Sequence, residues 1–327
     1  MSKLILKTIA HLEASYEVYD LERSVELVSL YNRMIETYIE KGDKQQANAW
    51  VLKGLKVFQN VQESVNYGLI PGLDMIQFNK RLSFYVGHKV FGGLYYYQVV
   101  LMKRADENRN IDRIIDMALG FFRQKEVLLK PKERQMLSEL ITLKIDHMDI
   151  DDSKVLELMI EKKKLFRNHK HLYDCYKFIA DFHFRQMHEK KALENYEKML
   201  VYFKTLKFTL KSPLESHIRA LERLVQLYIH FNDIQKAVKT CHSMHQLMQN
   251  FHFNIIEDLD MLIIPYHLKL EIALKHKDEH MLKETLMTYK AMIEMYEVMS
   301  RKDEILIHEL MSTYEYYQKL LRQMGGT

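Results

Sequence analysis

The stretch "YIHFNDIQKAV", Tyr228 to Val238, joins two segments whose apolar residues recur every three or four positions. Before it, Leu221, Leu224, Val225 and Tyr228 keep to one side of a helix. After it, Ala237, Cys241 and Met244 do the same, and Asn232-Asp233 breaks the pattern between them. Helices joined this tightly lie antiparallel, because each needs the other to cover its apolar stripe. Whether this is a lone corner or one corner of a stack decides the fold.

The same grammar occurs twice more, in "YIEKGDKQQAN" (Tyr38 to Asn48) and "HFRQMHEKKAL" (His183 to Leu193). In the first, Tyr31, Met34, Ile35 and Tyr38 precede the break, and Ala47, Val51 and Phe58 restart an apolar face. Gly42 accepts the left-handed backbone common at a helix end, and Asp43 is suited to cap the next helix. In the second, Tyr176, Ile179 and Ala180 are followed by Ala192, Tyr196 and Met199. The alanine early in each second helix lets its partner approach, and the larger residue four positions later fills the adjoining space. Three corners in phase predict a row of hairpins.

These residues give the chain a resemblance to the tetratricopeptide-repeat superfamily of paired helices. Ala47, Ala192 and Ala237 match its small residue at the start of the second helix. Tyr31, Tyr176 and Leu221 match the large residue opening the first, and Tyr38 and Tyr228 match the aromatic near its end, where His183 departs. Of Ile35, Ala180 and Val225, only Ala180 is the usual small residue between helices; Gly54, Met199 and Met244 depart late in the second helix. Ala192 and Ala237 stand 45 residues apart, longer than the family's unit, so elongated helices or wider joints are expected. The fold this implies is all-α: a right-handed superhelix of about seven antiparallel hairpins, forming a single elongated domain over 1–327 with an irregular joint at 60–74.

Composition agrees. Ten Gly and four Pro are few for a fold built on many tight turns, and 47% hydrophobic residues argue against disorder of the whole. Pro131 and Pro213 stand where helices are expected to start, as does Pro71, whereas Pro265 should divide the apolar segment Leu259 to Leu274. A formal charge of +4 does not mark a nucleic-acid binder. The basic-aromatic run Phe182 to Phe208 is interrupted by acidic residues and keeps helical spacing, which speaks against a stacking platform for single strands. Cys175 and Cys241 form no C-x-x-C pair and read as unpaired thiols. With no secretory signal or stable membrane insertion in the pattern, a cytoplasmic location is expected.

No catalytic constellation converges. The 16 histidines include no H-E-x-x-H pair, so neither a metal nor another cofactor is expected. His169, His171, Asp174 and Cys175 read as a helix start leading into a core cysteine, and His242 and His245 lack a third ligand. Asp149, Asp151 and Asp152 stand before a helix, where carboxylates cap backbone donors. "FGGLYYYQVV" (Phe91 to Val100) lacks the spaced glycines and lysine of a phosphate loop. Its Tyr95, Tyr96 and Tyr97 cover nearly a full turn, so they cannot all face one seam. Core packing accounts for part of the triplet; the remainder is the candidate ligand-binding set.

The expected role is a regulatory module that recognises a peptide or protein segment on the long wall of a repeat array. A resemblance to bacterial pheromone-receptor families built on related repeats points the same way, implying a sensor of a short peptide. Their DNA-binding or effector segment is not evident here, and the end "YYQKLLRQMGGT" leaves truncation before another domain open. The alternatives are a structural interaction scaffold or an enzyme acting on a phosphoprotein; for the latter, Gln135, Glu139 and the histidines offer no shared point. A homodimer is left open.

Overall fold

The computed structural model describes residues 2–17, 20–66, 87–105, 110–124, 128–204, 206, 211–251, 253–255, 258–299 and 304–325. The described residues contain helices and no strand, as expected of an all-α chain. The chain divides into two compact units, Met1–Phe166 and Arg167–Thr327.

The first unit contains α1 (Ser2–Ala14), α2 (Leu21–Glu40), α3 (Lys44–Asn66), α4 (Gly87–Ala105), α5 (Ile111–Phe122), α6 (Pro131–Asp146) and α7 (Ser153–Leu165). Helix α2 pairs with α3, α4 with α5 and α6 with α7. The first helices of successive pairs also pack side by side, α2 on α4 and α4 on α6, while α3 and α5 each wedge against the next first helix. That connectivity is tetratricopeptide-like: one layer of first helices, one of second helices. α3 runs through residues 60–66 of the expected joint; 67–86, including Pro71, lie outside the described residues.

The second unit repeats the scheme with α8 (His169–Arg185), α9 (Glu189–Phe203), α10 (Lys211–His230), α11 (Ile234–Asn250), the single turn α12 (Leu259–Leu262), α13 (Ile264–His276), α14 (Glu279–Met299) and α15 (Glu304–Gly325). α8 packs on α9, α10 on α11 and α13 on α14; α8, α10 and α13 form the first-helix layer. Pro265 stands in the first turn of α13 and separates it from α12, as its missing N–H requires.

The opening corner is one of four built alike. A residue with positive φ ends the first helix: Gly42 (77°), Met187 (55°), Asn232 (62°) and Lys277 (54°). The next N–H then returns to the carbonyl five residues back: Asp43 to Tyr38 at 2.9 Å, His188 to His183 at 2.8 Å, Asp233 to Tyr228 at 2.8 Å and Asp278 to Ala273 at 2.8 Å. This closure satisfies carbonyls that a helix end leaves open. At three of the corners the aspartate also caps the next helix: Asp43 accepts from the Gln46 N–H, Asp233 from Lys236 and Asp278 from Met281. The three corners of the second unit are 45 residues apart.

Packing shows why these side chains were chosen. Ala47, Ala192 and Ala237 have no exposed surface, and Tyr196, four residues past Ala192, is likewise enclosed. In the first unit Phe58, Phe91, Tyr95 and Phe121 form an aromatic core. Phe58 and Phe91 centroids are 4.4 Å apart, and Tyr95 stacks on Phe121 at 5.7 Å. Gly92 brings α4 onto α5: a Cβ there would stand 3.1 Å from Phe122 Cζ and 3.2 Å from Phe121 Cβ. At Gly120 of α5 a Cβ would meet nothing within 4 Å. Two substitutions of one kind therefore have opposite signs. Gly120→Ala raises stability by up to about 1 kcal/mol through helix propensity. Gly92→Ala lowers it by about 1 kcal/mol, because overpacking outweighs the same propensity gain. Urea unfolding of both variants checks the pair.

Candidate functional site

The tyrosine triplet on α4 is split by the packing around it. Tyr95 faces inward among Phe58 and Phe121, and burial pushes its phenol up to about 12. Tyr97 reaches back to α2, where its hydroxyl donates to Glu36. Burial, followed by that carboxylate, holds the Tyr97 phenol well above its usual range, so it stays a donor. Tyr96 turns the other way and donates to Glu139 of α6. Adjacent residues thus bind carboxylates on both neighbouring first helices, with ring centroids 5.4 Å apart.

Two further contacts make this a network. Gln135 donates to Glu139 at 3.1 Å along α6, and Lys132 of α6 pairs with Glu36 of α2. Asn32 of α2 donates to the Val90 carbonyl at 2.8 Å, fixing α4 beside α2 where Gly93 leaves room. Glu36, Tyr97, Tyr96, Glu139 and Lys132 therefore cross the first-helix layer from α2 to α6. Phenol-to-carboxylate bonds are charge-assisted and stronger than neutral ones. Glu36 and Lys132 remain partly exposed, at 28% and 61% of their side-chain surface. The surface is rich in acceptors, and Glu40, one turn beyond Glu36, is exposed. It suits hydrogen bonding to backbone N–H groups and basic side chains. Glu36 and Asn32 could not be singled out from sequence, since Glu36 is 61 residues from Tyr97.

The other sequence candidates behave as structural elements. Asp152 caps α7 by accepting from the Lys154 N–H at 2.8 Å, and Asp149 accepts from Asp151 N at 3.1 Å. Cys175 and Cys241 are buried and in no disulfide; His171 Nε2 is 3.6 Å from Cys175 Sγ. Burial pushes the Cys241 thiol up to about 12, far from nucleophile chemistry. His242 and His245 each bond a glutamine one turn on, at 3.0 Å. Among the described residues no three His, Cys, Asp or Glu side chains converge on a metal position. Of the enzyme candidates, Gln135 and Glu139 belong to the tyrosine network.

The second unit has its own cross-layer node. Asp181 of α8 accepts from Tyr196 of α9 at 2.5 Å and from Arg223 of α10 at 2.6 Å, with Lys177 at 3.2 Å. Its carboxylate is 13% exposed, so this node binds the helices together rather than facing a ligand.

No helix among the described residues is long and apolar enough to cross a membrane. No protein-family model matches the chain, and no curated protein is a significant match to its sequence. Solved structures similar to it include a signal transduction ATPase with numerous domains, carrying a tetratricopeptide repeat sensor, from Pyrococcus horikoshii: identity 14%, TM-score 0.42. That similarity covers 95% of this chain and 42% of the other, so the chain spans less than half of that protein's length. BtubC from P. vanneervenii is 14% identical with a TM-score of 0.40, over 76% of this chain and 93% of the other. The P58(IPK) TPR domain is 13% identical with a TM-score of 0.30, over 97% and 98%. At such values the repeat assignment stands on the chain's own corners and helix pairing: it is an all-α protein with tetratricopeptide-like hairpins.

Proposed function

We propose that the chain is a regulatory binding module that takes a peptide or protein segment on the first-helix layer of its N-terminal unit, with Tyr96 at the centre and the buried Tyr97 bracing Glu36 beside it. The observation that carries this reading is the direction of the two phenols. Tyr97 is as buried as Tyr95 but turns its hydroxyl to Glu36 on α2, while the partly exposed Tyr96 runs across the layer to Glu139 on α6. A rigid, carboxylate-bearing strip with one partly exposed aromatic ring is a composition that holds an extended segment by its N–H groups and an anchor. A partner with basic side chains complements it. Regulation follows if the segment's arrival changes how the module engages other proteins, and a cytoplasmic setting accords with two buried cysteines that form no disulfide.

The test is selection of peptides from a displayed random library on the purified chain, followed by affinities for the winners. Enriched peptides share a basic, extended motif, and Tyr96→Ala weakens them about tenfold, or about 1.4 kcal/mol. Tyr95→Phe, at a core position, leaves affinity unchanged. Absence of enrichment, or winners indifferent to Tyr96→Ala, sinks the proposal and favours a purely structural scaffold.

A further inference from the structure

The two units carry counterpart grooves on their second-helix sides, and these differ in chemistry. In the first unit a groove of about 570 Å³ runs between α5 and α7 over α6. Ion pairs cross it: Arg123 grips Glu161 with two hydrogen bonds of 2.9 and 2.7 Å, and Lys144 on the floor meets Asp116 at 3.0 Å. With Asp116, Asp152, Glu157 and Glu161 set against Arg123, Lys144 and Lys154, the lining carries no excess of positive charge to attract an anion.

In the second unit a groove of about 560 Å³ runs between α9 and α11 over α10. Leu200, Phe203, Leu221 and Leu247 line it. His217 lies flat against Phe203, with centroids 3.6 Å apart and planes 11° apart, and Tyr173 holds its Nδ1 at 2.9 Å. Burial holds this imidazole far below its ordinary range, to about 3, so the deep part of the groove is neutral. Among the described residues the one lining carboxylate, Glu197, is already taken by Lys236 at 2.9 Å and the Tyr228 hydroxyl at 3.2 Å. Lys236 is further held by Asp233 at 3.2 Å. Two more lysines line the mouth, Lys204 and Lys239; both are exposed and neither has an ion-pair partner among the described residues. An apolar slot therefore opens onto two uncompensated ammonium groups.

We propose that this groove binds a single-chain aliphatic carboxylate, its tail against Leu200, Phe203, Leu221 and Leu247 and its headgroup at Lys204 and Lys239. The volume falls in the range of small-ligand sites, about 300 to 1,000 Å³. Burial of the tail supplies affinity without direction, and the lysine rim selects an anion over a cation or a neutral lipid. The groove belongs to different helices from the tyrosine strip, so its failure leaves the peptide reading untouched.

The experiment is calorimetric titration of the full chain with octanoate, decanoate and dodecanoate below their micelle concentrations, with dodecylammonium as the charge-reversed probe. The expected result is one carboxylate per chain, with affinity rising about fourfold per added methylene. Dodecylammonium binds at least tenfold more weakly. The double change Lys204→Gln with Lys239→Gln lowers dodecanoate affinity about tenfold, since loss of one charge-assisted contact is worth that much. Ser243→Trp places a ring in the groove mouth and removes binding, with circular dichroism confirming the helices. Arg123→Gln, in the groove of the first unit, changes nothing. Unsaturable uptake, equal affinity for the ammonium probe, no binding at all, or indifference to the lysine pair overturns the assignment.

Discussion

Replacing Tyr196 by alanine lowers the stability of the second unit by about 4 kcal/mol, the usual cost of emptying a large, fully enclosed aromatic site. Tyr196 has no exposed surface and sits one turn past Ala192, in the space that the alanine's small size creates between α9 and its neighbours. Its hydroxyl adds a second function by donating to Asp181 at 2.5 Å. Tyr196→Phe isolates that part: the ring stays, and the loss is only about 1 to 2 kcal/mol, because Arg223 and Lys177 still neutralise the carboxylate. Arg223 is about a third exposed, so its pair with Asp181 is partly screened by solvent and the node is not a fully buried ion pair. A double-mutant cycle of Tyr196→Phe with Asp181→Asn should return a coupling of about 1 kcal/mol. Guanidinium unfolding with hydrogen exchange on α8 to α11 measures both. A phenylalanine variant as unstable as the alanine one would mean that the hydroxyl, not the packing, holds the hairpin.

The contrast between those variants marks what could be read from the chain and what could not. Small-then-large spacing after each corner follows from local sterics, so Ala192 and Tyr196 were legible, as were Gly42 with Asp43 and the dividing effect of Pro265. Met187 and Lys277 were not, because neither favours positive φ; the closing hydrogen bonds from His188 and Asp278 impose it. The corner at Lys277 also lacks its small residue, since Leu282 stands 45 positions after Ala237. Its membership of the series shows only in three dimensions. At the candidate site the sequence singled out the tyrosine triplet and established that its members must diverge. It did not say that Tyr96 alone would turn out of the core, because that depends on the phase of α4 against Phe58 and Phe121. The carboxylate partners of Tyr96 and Tyr97 lie 43 and 61 residues away, on helices brought alongside only by packing. The lysine-rimmed groove was invisible for the same reason: Lys204 and Lys239 belong to different helices, and their shared mouth exists only once α9 and α11 flank α10.

Acid should destabilise the second unit through His217. Its side chain has no exposed surface, and burial, followed by the charge of Lys177, lowers its pKa from 6.5 to about 3. Below pH 6.5 the unfolded chain therefore takes a proton that the folded chain refuses, and stability falls as the pH drops toward 3. The slope from this group approaches about 1.4 kcal/mol per pH unit, for a loss of nearly 3 kcal/mol between pH 7.5 and 4.5. His217→Phe keeps a flat ring against Phe203 and removes the proton acceptor. At pH 7.5 the variant is less stable than the parent by about 1 to 2 kcal/mol, because the Tyr173 hydroxyl loses its partner at 2.9 Å. At pH 4.5 that deficit closes or reverses, since only the parent carries the cost of keeping an imidazole neutral. Some slope persists in the variant, because burial also lowers the pKa values of His183, His245 and His267. Denaturant midpoints at four pH values between 7.5 and 4.5 decide the matter. Parallel curves for parent and variant would show that His217 accepts a proton without unfolding, and with it that the floor of the groove carries charge rather than presenting a neutral face.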